Sequence, residues 1–97
     1  MRRYVLSPRA HADLSGIWDY TAKHWGVDQA ERYVRQIVAA CADLAGGRKQ
    51  GRSIDEIRPG YFKCAIGSHV LFYRLKPAGR IEVVRILHGR MDVERHL

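Results

Sequence analysis

The side chains in this sequence with chemistry to offer are five histidines, two cysteines and an excess of Lys and Arg. His11 and His24 fall on one predicted helix without the i, i+4 spacing that brings two metal ligands together, and the other three histidines are scattered through the second half. No metal motif emerges, and no metal or cofactor is expected. Cys41 and Cys64 lie far apart among apolar residues, so the reading is a reduced, buried pair without nucleophilic character. His88 and His96 stand close in sequence to Arg85, Arg90 and Arg95. Such cations could hold a phosphate beside a group that titrates near neutral pH. The competing description is a cationic, partly structured tail. Lys63, Arg74 and Arg85 fall one on each of three late strands, with Arg58 just before them. They form a concave cationic face if their registers match, and are otherwise ordinary solvated strand residues. There is neither a Gly-rich loop between a strand and a helix nor a G-x-S-x-G elbow.

The elements that must position these groups are legible from period and punctuation. Tyr4-Val5-Leu6 is a short strand. Ser7-Pro8 then starts a helix, since the Ser oxygen can accept from a free amide and Pro lacks the donor that would go unused. Leu14, Ile17, Trp18, Thr21 and Trp25 lie along its apolar stripe, and Gly26 stops it. Asp28, with Glu31 three residues on, reads as a capping box opening a second helix. Its stripe is Ala30, Tyr33, Val34, Ile37, Cys41 and Leu44, and it ends at Gly46-Gly47. The two helices fold back as a hairpin. Residues 46–52, with Arg48, Lys49 and Arg52 among glycines, read as a mobile basic loop. The period then changes to that of strands over residues 61–66, 69–75 and 80–87. Gly67-Ser68 and Pro77-Ala78-Gly79 supply the hairpin connections. The expected fold is α+β: an N-terminal strand and a helical hairpin packed on an antiparallel sheet completed by a three-stranded C-terminal meander.

Ninety-seven residues make one domain, 1–97, with room for a core but not for a large cofactor between subdomains. The net charge of +7 and pI near 9.9 favour an anionic partner. No run approaches the ~20 apolar residues that span a bilayer, and no apolar leader opens the chain. The expectation is a cytoplasmic protein that acts through a surface, without a membrane.

Several local sequences, in order, resemble the RelE/ParE superfamily of toxins from type II toxin–antitoxin operons. They are residues 4–10, residues 13–20, the trio Gly26, Ala30 and Tyr33, residues 57–61, residues 67–74 and residues 84–92. The set is most similar to the ParE branch. That resemblance implies a RelE/ParE-like fold and a toxin that inhibits DNA gyrase by docking, neutralised by a ParD-like antitoxin in a hetero-oligomer. It implies an antitoxin with an acidic, amphipathic tail, for which Trp18, Trp25, Tyr33 and Ile37 are the candidate groove. Arg85, His88, Arg90 and Met91 are the candidate target-facing residues. The alternative is a RelE-like ribosome-dependent mRNA endoribonuclease. RelE-like toxins use basic residues on the sheet and a Tyr or His close to the C-terminus. This chain has no Tyr after Tyr73, so Arg85, Arg90 and His96 would have to serve.

Overall fold

Ser7 organises the start of the chain. Its hydroxyl oxygen accepts from Ala10 N–H at 3.0 Å, and the same hydroxyl donates to the Val84 carbonyl at 2.7 Å, so one side chain caps the first helix and ties it to the last strand. In the computed structural model, which describes residues 4–89, 91 and 93–97, the order is β1 (Tyr4–Leu6), α1 (Pro8–Trp25), α2 (Val27–Ala45) and β2 (Arg52–Ser53). There follow β3 (Tyr61–Ile66), β4 (His69–Lys76), a single 3-10 turn (Pro77–Gly79), β5 (Arg80–His88) and α3 (Val93–His96).

Gly26 alone separates the two long helices. Its φ of 98° turns the chain, its N–H reaches the Ala22 carbonyl, and its own carbonyl accepts from Ala30 N–H. That last bond begins α2 at Val27. Asp28 is therefore already helical and makes no side-chain cap, contrary to the capping-box reading; it lies instead in the first turn, where a negative charge suits the helix dipole. On α1 the buried stripe is Ala10, Ile17 and Thr21, and it stops there. Trp25, one turn later, is 73% exposed. On α2, Ala30, Ile37, Ala40, Cys41 and Leu44 are buried.

The five strands form one sheet in the order β1-β5-β4-β3-β2. β1 runs parallel to β5, with Tyr4 opposite Ile81 and Leu6 opposite Val83, so the sheet is mixed rather than wholly antiparallel. The segment read as a mobile loop is held at several points. Arg48 donates to Asp43 at 2.9 Å, Gly51 N–H donates to the buried Tyr73 hydroxyl at 2.9 Å, and Arg52–Ser53 pair with β3. Two residues of edge strand are too short to show a period, which is why they were legible only as loop.

A bulge in β5 sets which residues face which side. Phe72 opposes Arg85 while Tyr73 opposes Val83, leaving Val84 unmatched. The alternation therefore slips by one residue. Val83 and Ile86 both face the helices and join their core; Val84 and Arg85 both belong to the far side. That far side has its own apolar cluster of Ile54, Tyr61, Phe72 and Leu87, against which Val93 and Leu97 pack.

Candidate functional site

Where α1 meets α2 the helices overhang the end of the sheet and leave an open cleft of about 860 Å³. Tyr20, Trp25 and Val27 are 62%, 73% and 57% exposed along it, an apolar surface that a polar fold does not display without cost. Arg32, His69 and His88 also line it. The cleft does not end there. A second hollow of about 500 Å³ shares Tyr20, Thr21, His69 and His88 with it and continues along α1 to Arg85 and Met91, the latter 40% exposed.

A hydrogen-bonded cluster sits at the junction. The Tyr33 hydroxyl lies 2.7 Å from His69 Nδ1, accepts from Ser68 N–H at 3.0 Å and has the Ile66 carbonyl at 3.3 Å. With Nδ1 unprotonated, the hydroxyl donates to it; with Nδ1 protonated, Nδ1–H donates and the hydroxyl can turn to Ile66. His69 faces His88 directly across β4 and β5, their rings edge to face at 5.5 Å. Burial pushes the His69 imidazole below its ordinary pKa, the charge of His88 pushes it further down, and Asp13 opposes both. Tyr33 can reach the β3–β4 turn only because residue 67 is glycine. Gly67 has φ 55°, and a Cβ there would come within 2.7 Å of the Tyr33 ring.

Arg85 is differently engaged. Its Nε and Nη2 donate to the two oxygens of Asp13 at 2.8 and 2.9 Å, and Nη1 donates to the His96 carbonyl at 3.2 Å. Asp13 Oδ2 also accepts from Ile86 N–H at 2.9 Å, closing the edge of β5 beyond the point where β1 stops. Both side chains are nearly buried, 13% and 15% exposed. The bond to Asp13 raises the guanidinium pKa further, so Arg85 is a permanent, fully partnered cation.

The predicted site residues therefore separate. Trp25 and Tyr33 line the cleft, and His88, Met91 and Arg85 line its continuation. Trp18 is half-buried on α1 and lies outside both. Ile37 is fully buried between α2 and the sheet and offers a partner no surface, which corrects its place in the groove. Arg90 lies outside the described residues. His96 is half-buried on α3, with its carbonyl held by Arg85. Lys63, Arg74 and Arg85 share the far face, although Arg85 bends to Asp13. Sequence reasoning missed Tyr20, His69 and Asp13. His69 carried no local signal, because an unbroken hairpin register sets it opposite Leu87 and only the bulge at Val84 brings it opposite His88; the Asp13 contact is 72 residues distant in sequence and carried none either.

Cys41 and Cys64 are free thiols, and burial pushes Cys41 up to about 11. Among the described residues no three His, Cys, Asp or Glu side chains converge as metal ligands, and no helix is long and apolar enough to cross a membrane.

Comparison with known proteins gives a consistent result. A family model described as "ParE toxin of type II toxin-antitoxin system, parDE" matches residues 4–93. Toxin ParE1 of Mycobacterium tuberculosis (strain ATCC 25618 / H37Rv) is 56% identical over 95 residues, which cover 98% of this chain and 97% of the relative. Toxin ParE1 of Caulobacter vibrioides is 43% identical over 97 residues, covering 100% and 99%, and Toxin ParE of Escherichia coli is 34% identical, covering 100% and 94%. Among solved structures, the chromosomal ParDE TA system from P. aeruginosa superposes with a TM-score of 0.74 at 25% identity, over 91% of this chain and 96% of that one. The YoeB-YefM complex from Staphylococcus aureus superposes with a TM-score of 0.59 at 16% identity, over 92% and 98%, a likeness of fold alone.

Proposed function

Because this chain belongs to the ParE family of toxins from type II toxin–antitoxin systems, we propose that it arrests growth by docking on DNA gyrase and is neutralised by a ParD-like antitoxin that covers the same cleft. The observation that carries this reading is the continuity of the cleft. Trp25 and Tyr33, the antitoxin-side residues, and His88 and Met91, the target-side residues, line two hollows that share Tyr20, Thr21, His69 and His88. A segment laid along one end obstructs the other. Neutralisation then needs no conformational change in the toxin.

The chemistry of the cleft suits the antitoxin proposed. An amphipathic helix can set its apolar face on Tyr20, Trp25 and Val27 while its acidic side chains meet Arg32 and the histidines. The net charge of +7 would draw an acidic segment in at long range. Docking is favoured over RNA cleavage because Arg85, the described arginine of the alternative nuclease set, already has both carboxylate oxygens of Asp13 and is not free to hold a phosphate.

Purified toxin added to gyrase should suppress supercoiling or accumulate cleaved DNA, and the antitoxin should reverse either effect. No effect at stoichiometric excess would remove the gyrase reading. Trp25→Ala should weaken antitoxin binding by about 2 kcal/mol, roughly thirtyfold, as for a central aromatic anchor. Met91→Ala, at a residue that lines the second hollow and not the first, should instead weaken the action on gyrase.

A further inference from the structure

The sheet face turned away from the helices carries an arrangement that the cleft does not use. Arg52 stands directly opposite Lys63 across β2 and β3, and Lys76 directly opposite Arg80 across β4 and β5. Strand alternation puts all four, with Arg74 between them, on the same side as Phe72. Arg52, Arg74, Lys76 and Arg80 are exposed, and Lys63 is half-buried. Arg74 is paired with Glu82 at 2.7 Å; among the described residues the other four have no carboxylate within ion-pair distance. Like charges placed directly opposite one another destabilise a sheet, and here there are two such pairs on one face. The turn joining the second pair also holds Ala78 at φ 66°, a conformation disfavoured by a Cβ.

With strands about 4.8 Å apart and a rise of about 3.4 Å per residue, the centres of the two pairs lie about 17 Å apart, with Arg74 near the line between them. The result is a diagonal row of cations. Its occupant is narrowed by what the face lacks. The aromatics on this side, Tyr61 and Phe72, are buried, and Val93 and Leu97 pack over their cluster. No ring is therefore open to stack unpaired bases, as single-strand recognition requires. A hollow of about 120 Å³ beside Lys63, between Ile57, Val70 and Leu87, is too small to seat an acidic amphipathic helix. A row of flexible cations without stacking or apolar contact suits the phosphate backbone of a duplex. We propose that this face binds double-stranded nucleic acid through its phosphates, independently of base sequence. The inference does not rest on the reading of the cleft.

The test is a salt series of the whole chain against a labelled DNA duplex, followed by fluorescence anisotropy. Four unpaired cations predict a slope of log K against log salt of about −3.6, hence roughly 150-fold weaker binding at 200 mM than at 50 mM. Lys76→Gln with Arg80→Gln, and separately Arg52→Gln with Lys63→Gln, should each roughly halve that slope, while the melting temperature stays level or rises as repulsion is relieved. The pairs lie on different strands, so a folding defect in one leaves the other to decide. An RNA duplex bound as well as DNA supports recognition of phosphate alone, and a preference for DNA supports the B-form backbone as the ligand. Unchanged affinity and slope in both double variants would overturn the proposal. So would tighter binding of a single strand, or equal competition by an acidic peptide of matched charge.

Discussion

Burial and the neighbouring His88 both disfavour a charged His69, and Asp13 only partly offsets them, so the folded protein binds the His69 proton less readily than the unfolded chain does. The sign follows from that difference. The contribution of a neutral His69 to stability is fully present above the unfolded value near 6.5 and is lost as the pH falls through the lower folded value. Urea unfolding should therefore show stability declining below about pH 6.5, and His69→Gln should flatten that decline. A curve unchanged by the substitution would show that His69 is not the responsible group. Asp13 makes a different prediction. Asp13→Ala leaves a nearly buried Arg85 and the Ile86 N–H without their acceptor, at a cost of about 3 kcal/mol, the scale for breaking a buried pair. Adding Arg85→Met should recover part of that loss in a double-mutant cycle, because the stranded charge is then gone. Neither effect could be read locally. His69 and Asp13 acquire their chemistry from His88, Tyr33 and Arg85, which are distant in sequence.

The hairpin turn between β3 and β4 shows how an element serves the site. Gly67 has a positive φ and Ser68 does not, which matches a two-residue turn with Gly at its first central position. The same glycine admits the Tyr33 ring. Gly67→Ala should thus cost about 2 kcal/mol or more, through strain alone, and should also break the Tyr33–His69 hydrogen bond. Denaturation together with the His69 imidazole NMR shifts would check both parts. Stability lost without any change at His69 would separate the turn from the cluster. At this scale the sequence was largely readable. Ser7-Pro8 and Gly26 bounded α1, and the change of period bounded β3, β4 and β5 to within about a residue. Reading failed where competing local signals were equal. Asp28 looked like a cap until the Gly26 carbonyl began the helix earlier, and residues 46–52 looked loose until Tyr73 and β3 held them.

Across the whole molecule, the shared cleft predicts that antitoxin and gyrase compete. Toxin loaded with antitoxin should fail to join gyrase, and displacement should follow the relative affinities; a stable ternary complex would disprove exclusion. Association with an acidic antitoxin should also slow as salt rises, since an excess of +7 steers an oppositely charged partner over a distance that ions shorten. The sheet's far side illustrates the limit of sequence reading most clearly. Lys63, Arg74 and Arg85 were recognisable as one cation per strand, but strand parity is a local count, and the bulge at Val84 resets it where no residue type announces the slip. Composition, turn residues and hydrophobic period specified the charge, the helices and the strands, because those signals act between near neighbours. Which cations are free, which aromatics are exposed and which histidines meet depended on contacts between residues far apart in the chain, and those exist only after the elements have packed.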